Sequence, residues 1–363
     1  MTFSATDHAM MARALALAER GLETTTPNPR VGCVLARNGE IVGEGWHERA
    51  GEPHAEVHAL RAAGERAHGA TAYVTLEPCS HHGRTPPCAD ALVAAGVARV
   101  IAAMEDPNPQ VAGKGLARLR AAGIDTAAGL LQAQAHELNI GFISRMTRGR
   151  PWLRMKTAST LDGKTALNNG VSQWITGEAA RQDGHRWRAR ACAVLTGIGT
   201  VRADDPQLSV RAVPCSRQPL RVLVDARLEV SPEARILAGG HCLIATATDD
   251  AERTAALRER GAELLRLPDA AGKVDLPALL QELGRRGLNE VHVEAGFGLN
   301  GSLLREGCVD ELLMYFAPML VGEAAQGLFR LPELAALDRA LRLKLVDLRA
   351  VGEDFRLIAR PGR

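Results

Sequence analysis

The sequence predicts an α/β protein of two domains, and three observations lead there. The chain has 363 residues, more than one hydrophobic core ordinarily organises. Short apolar runs alternate with helix-period segments through both halves, the pattern of helices layered on a sheet. The alternation is interrupted once, at Gly141-Phe-Ile-Ser-Arg-Met-Thr-Arg-Gly-Arg-Pro151, where helical periodicity gives way to basic residues, Gly and Pro. That run reads as a solvated linker with the boundary near Thr147, giving domains 1–147 and 148–363. The second half repeats none of the motifs of the first, so it is a different domain and not a duplicate.

In the first domain, Asp7 to Arg20 carries apolar residues at helical spacing, with an acid near its start and Gly21 to stop it. Pro27 and Pro29 flank Asn28 in a turn from Thr26 to Arg30. Val31 to Ala36 and Ile41 to Trp46 read as strands joined by the hairpin signal Arg37-Asn-Gly-Glu40. Pro53 precedes a helix from His54 to Ala67. Strand Ala72 to Leu76, a cysteine-bearing loop, helix Ala89 to Ala95 and strand Arg99 to Met104 follow. A loop over Glu105 to Gln110, helix Lys114 to Ala122 and a last helix from about Leu130 complete the domain.

The second domain opens with strand Trp152 to Ala158 and a turn over Ser159 to Gly163. Helix Glu178 to Arg190 leads to a buried strand, Cys192 to Thr196, then Gly197-Ile-Gly-Thr200 and a loop over Val201 to Pro206. Strands Arg221 to Asp225 and His241 to Thr246 are followed by helices Ala251 to Arg260 and Leu276 to Arg286. Strand Glu290 to Glu294 runs into Gly296-Phe-Gly-Leu-Asn-Gly301 and a short helix. Glu311 to Ala317, Leu341 to Leu348 and Phe355 to Ala359 then read as strands with no long helix between them, an antiparallel finish to the sheet.

Composition narrows the function. The formal net charge is +2 and aromatics make up 3%, which gives no case for a polyanion partner or a base-stacking platform. No run approaches the length of a membrane span, and Met1-Thr-Phe-Ser-Ala-Thr-Asp-His lacks the basic start and apolar middle of a signal peptide. Seven cysteines without a regular framework fit a reducing, cytoplasmic compartment. Five of them read as small buried hydrophobes.

Cys79 and Cys88 differ. Each directly follows a proline in Thr75-Leu-Glu-Pro-Cys-Ser-His-His-Gly-Arg-Thr-Pro-Pro-Cys88, which stiffens the turn that carries it. Upstream lies His54-Ala-Glu56 at a helix mouth. One imidazole and two thiolates suit zinc, and three protein ligands leave a fourth tetrahedral position open, a catalytic layout. His58 shares a helix face with His54, but the acid stands two residues after His54, so the protease-type His-Glu-x-x-His pattern is not met. The sequence therefore favours His54 as ligand with Glu56 reaching back beside the metal.

These residues resemble the zinc nucleoside-deaminase superfamily, whose signature is His-x-Glu followed by a Pro-Cys-bounded loop. The usual second half is Pro-Cys-x-x-Cys; here the insertion Ser80 to Pro87 is longer and looks like the riboflavin-pathway branch, as do His54-Ala-Glu-Val-His-Ala-Leu60 and Pro27-Asn-Pro29. The resemblance implies that zinc, held by His54, Cys79 and Cys88, lowers the pKa of a bound water. It further implies that Glu56 shuttles protons from that water to the ring nitrogen and the leaving ammonia. It gives Asn28, His47, His81 and Arg84 the pyrimidine and its ribose phosphate to hold.

Gly296-x-Gly298-x-x-Gly301 follows a strand and opens a helix, as a phosphate loop does. It lies on a late strand without the acidic partner of a Rossmann unit, so a nucleotide loop in a non-Rossmann sheet is the better reading. Lys156-Thr-Ala-Ser-Thr-Leu-Asp-Gly163, Ser172-Gln-Trp-Ile-Thr176, Ala203-Asp-Asp-Pro206 and Val293-Glu-Ala-Gly296 resemble the riboflavin-pathway reductase domain, similar in fold to dihydrofolate reductase and NADPH-dependent. By that likeness Ala158, Trp174, Thr200 and Asp204 line the NADPH site with Gly296, Phe297, Gly298, Leu299, Asn300, Gly301 and Ser302. Ser172, Arg188, Leu208, Arg211 and Glu294 hold the substrate. Most members carry Gly in place of Ala158.

The whole pattern resembles the bifunctional riboflavin-biosynthesis deaminase/reductase, a cytidine-deaminase-like three-layer α/β/α domain followed by the reductase. The resemblance implies deamination of 2,5-diamino-6-ribosylamino-4(3H)-pyrimidinone 5′-phosphate, then reduction of the ribosyl group to ribityl. A small-molecule substrate, no nucleic-acid or membrane partner and a homo-oligomeric enzyme are expected. Two rivals are a nucleic-acid-editing zinc deaminase with an accessory reductase-like domain, and a non-enzymatic zinc protein.

Overall fold

A computed structural model of the chain describes residues 2–80, 86–109 and 112–362. It divides into two compact units, Met1–Gly149 and Arg150–Arg363.

The N-terminal unit begins with α1 (Ala5–Ala18), which starts earlier than its apolar pattern because Ser4 caps it. Ser4 Oγ accepts from the Asp7 amide at 3.1 Å and Asp7 Oδ2 accepts from the Ser4 amide at 2.8 Å, a reciprocal capping box. The elements that follow are β1 (Gly32–Arg37), β2 (Glu40–Trp46), α2 (Ala55–Ala63), β3 (Thr71–Val74), α3 (Cys88–Ala94) and β4 (Arg99–Ala102). Then come α4 (Lys114–Ala121), β5 (Asp125–Ala128), α5 (Gln132–Leu138) and α6 (Ile140–Arg148). The sheet order is β2-β1-β3-β4-β5. β1 runs antiparallel to β2 and β3, while β3, β4 and β5 are parallel.

Helices cover both faces of this sheet, and glycines set how closely. Gly32 pairs with Trp46 and Cys33 with Gly45, so Gly32 and Gly45 face opposite sides. A Cβ on Gly32 would stand 2.0 Å from Ala14 O of α1. One on Gly45 would stand 2.5 Å from Ala55 O of α2, and one on Gly43 2.3 Å from Ala59 O. Backbone therefore meets backbone on both faces, and the three-layer arrangement follows.

Two features of this unit differ from the sequence reading. β5, Asp125-Thr-Ala-Ala128, has too little apolar bulk to signal a strand; it forms by parallel pairing with β4. The basic run is not a solvated linker. Its residues 141–148 belong to α6, in which Ile140 and Phe142 are buried. The break between α5 and α6 falls at Asn139, whose amide side chain is spent on the Arg30 backbone: Arg30 N donates to Oδ1 at 2.8 Å and Nδ2 donates to Arg30 O at 2.9 Å.

The C-terminal unit contains β6 (Trp152–Thr160), β7 (Lys164–Ala166), α7 (Glu178–Arg190), β8 (Ala193–Gly197), α8 (Ile198–Asp204) and β9 (Leu220–Val224). β10 (Cys242–Thr246), α9 (Ala251–Glu259), β11 (Ala262–Arg266), α10 (Leu276–Arg285), β12 (Glu290–Val293) and α11 (Phe297–Arg305) follow. β13 (Glu311–Ala317), β14 (Gln326–Gly327), β15 (Leu343–Val351) and β16 (Asp354–Pro361) close it. Nine strands form one sheet, β11-β10-β9-β8-β12-β6-β13-β16-β15, and β7 pairs with β14 in a separate ribbon. β16 is antiparallel to β13 and β15, as the helix-free ending of the sequence predicts; the other neighbours are parallel. β11 was not expected. The expected loop over Val201 to Pro206 is instead mostly the C-terminal part of α8.

The two faces of this sheet differ in chemistry. Leu153, Met155, Val291 and Val293 pack with Leu279, Leu283 and Leu303 in an apolar core. On the other face lies a buried ionic layer beneath α7. Arg154 donates to Glu311 on β13 and, at 3.0 Å, to Glu290 on β12. Arg190 reaches Glu290 at 2.8 Å, and Arg360 reaches Glu311 at 2.8 Å. The Trp187 ring lies under the Arg154 guanidinium, 4.4 Å from centroid to Cζ, a cation–π contact. Substituting Arg154→Met would leave Glu290 and Glu311 buried with fewer cations. We expect it to cost about 3 kcal/mol, toward the lower end for breaking a buried pair because Arg190 and Arg360 remain; a shift of the unit's urea transition would measure it.

Candidate active sites

His54 is the N-cap residue of α2, with extended backbone (φ −76°, ψ 166°), so its ring leaves the helix at the mouth. Cys88 opens α3 immediately after Pro87. The fold brings these two helix starts and the loop after β3 together. His54 Nδ1 lies 3.6 Å from Cys79 Sγ and 3.3 Å from Cys88 Sγ, and the three donor atoms fall within 4.8 Å of one another. Tetrahedral zinc with ordinary Zn–N and Zn–S bonds separates its donors by about 3.5 Å. The donor set and its spacing fit zinc. Cys79 Sγ also accepts from the Cys88 amide at 3.3 Å. The hydrogen bond from the Cys88 thiol pulls the Cys79 thiol down to about 4, with burial opposing and His54 assisting.

Glu56 sits in the first turn of α2, buried, and its Oε2 has no hydrogen-bond partner among the described residues. Such an orphaned buried oxygen calls for a ligand or water. Burial raises its pKa, with the neighbouring His54 opposing. His47 is buried as well; its Nδ1 lies 3.1 Å from Pro53 O and its Nε2 3.0 Å from Asn28 Nδ2. A carbonyl can only accept, so Nδ1 carries the proton and Nε2 accepts from the Asn28 amide. Burial holds His47 below its ordinary pKa, which keeps it in this neutral form. The His47 and His54 rings meet edge to face at 5.3 Å.

Glu77, inside the cysteine motif, anchors the loop. Its carboxylate accepts from the amides of Asp106, Gly113 and Leu116 at 3.1, 2.9 and 3.0 Å. It thereby ties the exit of β3 to the start of α4. A cavity of about 560 Å³ opens over the site, lined by Asn28, His47, His54, Glu56 and Cys79 and also by Asn108, Phe142, Arg145 and Met146. His81 and Arg84 lie outside the described residues. Asn108 and Arg145 were not singled out by the sequence. A signal for the former existed: Pro107-Asn-Pro109 repeats Pro27-Asn-Pro29, and both asparagines line the cavity.

In the C-terminal unit, Gly296 is the N-cap of α11, and Gly298 has open space where a Cβ would be. A Cβ on Gly301 would stand 2.2 Å from Arg330 O, so this glycine serves close backbone packing. Gly296 faces Thr200 Oγ1 of α8, 3.6 Å from its ideal Cβ, and Leu299 lies against Gly197. The starts of α8 and α11 are thus brought side by side. Phe297 O accepts from the Arg330 amide at 3.1 Å, Asn300 Nδ2 donates to Ala295 O at 2.9 Å, and Ser302 Oγ accepts from Arg305 at 2.8 Å. Asp204 ends α8 and is exposed; Ala158 lies half-buried on β6. Trp174 is 64% exposed, with the Arg181 guanidinium 4.6 Å above its ring.

Arg188 grips Glu294 in a two-pronged pair, Nε to Oε1 at 2.7 Å and Nη2 to Oε2 at 2.9 Å, and donates from Nη1 to Ser209 O at 2.6 Å. Burial works against the Glu294 carboxylate, but Arg188 and Lys156 outweigh it and hold it well below the usual range. Leu208 is buried beside this pair's Ser209 anchor, in left-handed backbone. Arg211 is exposed, and its amide lies 3.5 Å from His185 Nδ1. Ser172 is half-buried.

Residues 4–104 match the cytidine and deoxycytidylate deaminase zinc-binding region, and residues 151–357 match the RibD C-terminal domain. The chain is 51% identical to riboflavin biosynthesis protein RibD of Escherichia coli (strain K12), over 96% of this chain and 97% of that one. It is 46% identical to the Haemophilus influenzae protein of the same name, over 99% of each. Among solved structures, Acinetobacter baumannii RibD superposes with a TM-score of 0.91 at 44% identity, covering 99% of both chains. A diaminohydroxyphosphoribosylaminopyrimidine deaminase/5-amino-6-(5-phosphoribosylamino)uracil reductase from Thermotoga maritima superposes with a TM-score of 0.88 at 33% identity, covering 98% of this chain and 99% of that one. With two family models and full-length relatives converging on the same two-unit architecture, this chain belongs to the RibD family of bifunctional riboflavin-biosynthesis enzymes.

Proposed function

We propose that residues 1–147 deaminate 2,5-diamino-6-ribosylamino-4(3H)-pyrimidinone 5′-phosphate, and that residues 148–363 reduce the ribosyl group of the product to ribityl with NADPH. The observation that carries this reading is the buried Glu56 oxygen, without a hydrogen-bond partner among the described residues, beside a His54–Cys79–Cys88 donor set in a substrate-sized cavity. Zinc, held by those three residues, supplies a hydrolytic nucleophile at neutral pH. Glu56 takes one proton from the attacking water and passes it to the ring nitrogen, then takes the second from the hydroxyl left on the ring carbon and passes it to the departing amine, which balances the exchange of ammonia for oxygen. Its raised pKa suits a group that must release as well as accept a proton. Asn28 and His47, fixed to each other, present a set donor and acceptor pattern to the pyrimidine.

In the second unit, bound NADPH would supply the hydride for reduction of the sugar. The paired starts of α8 and α11, with Ala158, Trp174, Thr200, Asp204 and Gly296 to Ser302, would hold the cofactor. Ser172, Leu208, Arg211 and the Arg188–Glu294 pair would hold the substrate. Both arginines suit its phosphate. The likeness along the whole chain to RibD proteins does not favour a nucleic-acid-editing deaminase.

Among the described residues no helix is long and apolar enough to cross a membrane. We assign the protein to the cytoplasm, where Cys79 and Cys88 stay reduced. A homo-oligomer is supported by β15, an edge strand whose Leu345 and Leu348 are 55% and 58% exposed. An apolar edge of this kind is self-complementary about a two-fold axis.

Three outcomes test the proposal. Glu56→Gln should keep one zinc per chain by elemental analysis while ammonia release falls about 10²–10⁴-fold. Cys88→Ala should lose both zinc and ammonia release yet still oxidise NADPH when given the deaminated intermediate. Leu345→Glu with Leu348→Glu should lower the mass measured by light scattering to that of a single chain; an unchanged mass would remove β15 as the interface.

A further inference from the structure

The cavity of the N-terminal unit is lined by four carboxylates, Glu52, Glu56, Glu77 and Asp106, and by a single Lys or Arg among the described residues, Arg145. The carboxylates are occupied: Glu77 by three amides, Asp106 Oδ1 by the Asn108 amide at 2.8 Å, and Glu52 by Arg49 at 3.8 Å. Glu56 belongs to the proton chemistry. A substrate carrying a phosphate dianion needs a cation to enter such a wall. Arg145 projects from α6, the helix that ends this unit. Its Nη2 donates to Pro27 O at 2.8 Å, and its Cζ lies 5.8 Å from the Phe142 ring centroid. Both partners line the cavity, and Pro27 adjoins Asn28, so the two contacts fix the guanidinium at the wall where the ribosyl end of a pyrimidine held by Asn28 and His47 would emerge.

We infer that Arg145 binds the substrate's 5′-phosphate, making α6 part of substrate selection for the deamination. The inference rests on the reading proposed above. By family resemblance Arg84 serves the same group from the metal loop; Arg145 adds a second cation from a segment whose sequence looks like a linker. A planar guanidinium meets phosphate with paired N–H donors. The phosphate is remote from the reacting carbon, so the contact is the same in ground and transition states and should show in KM rather than kcat.

The test uses the full-length, zinc-loaded protein and follows ammonia release. Arg145→Gln should raise KM about tenfold, the worth of one charge-assisted hydrogen bond, and leave kcat within about threefold. Competitive inhibition by ribose 5-phosphate should weaken by about the same factor, a readout that a general loss of structure would not move selectively. Arg145→Lys, which keeps the charge, should fall between and carries the test if the Gln variant does not fold. KM and ribose 5-phosphate inhibition both within twofold of wild type would overturn the inference, as would a loss confined to kcat. Wild-type protein that releases no ammonia would instead overturn the deaminase assignment itself.

Discussion

The close seating of α2 on β2 is the constraint on which the His54–Cys79–Cys88 donor cluster depends. Gly43 and Gly45 let the backbone of Ala55 and Ala59 come within a distance no Cβ would tolerate. Because α2 rides that low, its first turn places His54 at the cavity and Glu56 beneath it, one as an N-cap ring and the other as a buried carboxylate. A larger residue at either glycine would lift the helix, and the imidazole would leave the two sulfurs. The positions of Cys79 and Cys88 are set independently. The Glu77 carboxylate pins the exit of β3 to α4, and Pro87 sets the start of α3. Three separately anchored segments converge, so the donor atoms stand near their working spacing from packing alone, the preorganisation that makes a metal site tight.

Much of this was legible in the sequence, for a stated physical reason in each case. Prolines ahead of both cysteines and the His-x-Glu at a helix start are local signals, and local signals survive folding unchanged. So did the hairpin at Asn38-Gly39 and the helix Glu178–Arg190. What failed was information held by partners. β5 exists because β4 offers it an edge, and α5 ends at Asn139 because Arg30, far away in the chain, takes its amide. The basic run looked like a linker because Arg145, Arg148 and Arg150 dominate its composition. Ile140 and Phe142, buried in the same helix, decide its fate instead. Arg145 is a cavity residue by virtue of tertiary placement, which spacing alone does not reveal.

The two units orient their polar side chains in different ways. In the N-terminal unit neutral groups orient one another, as Asn28 and His47 do. In the C-terminal unit charge is held in reciprocal pairs. Arg188 has two edges engaged by Glu294 and Ser209 O, so its plane is set.

The ionic layer beneath α7 has a consequence for how the nine-stranded sheet assembles. Apolar alternation cannot tell a strand from itself displaced by two positions, since such a slip keeps every side chain on its own face. Arg154 can tell. It stands on β6 and bonds carboxylates on both flanking strands, Glu290 of β12 and Glu311 of β13. A two-residue misalignment of either neighbour would strand a charge in the interior at a cost of several kcal/mol. The guanidinium thus acts as a proofreading peg, rejecting threadings that hydrophobicity by itself would accept.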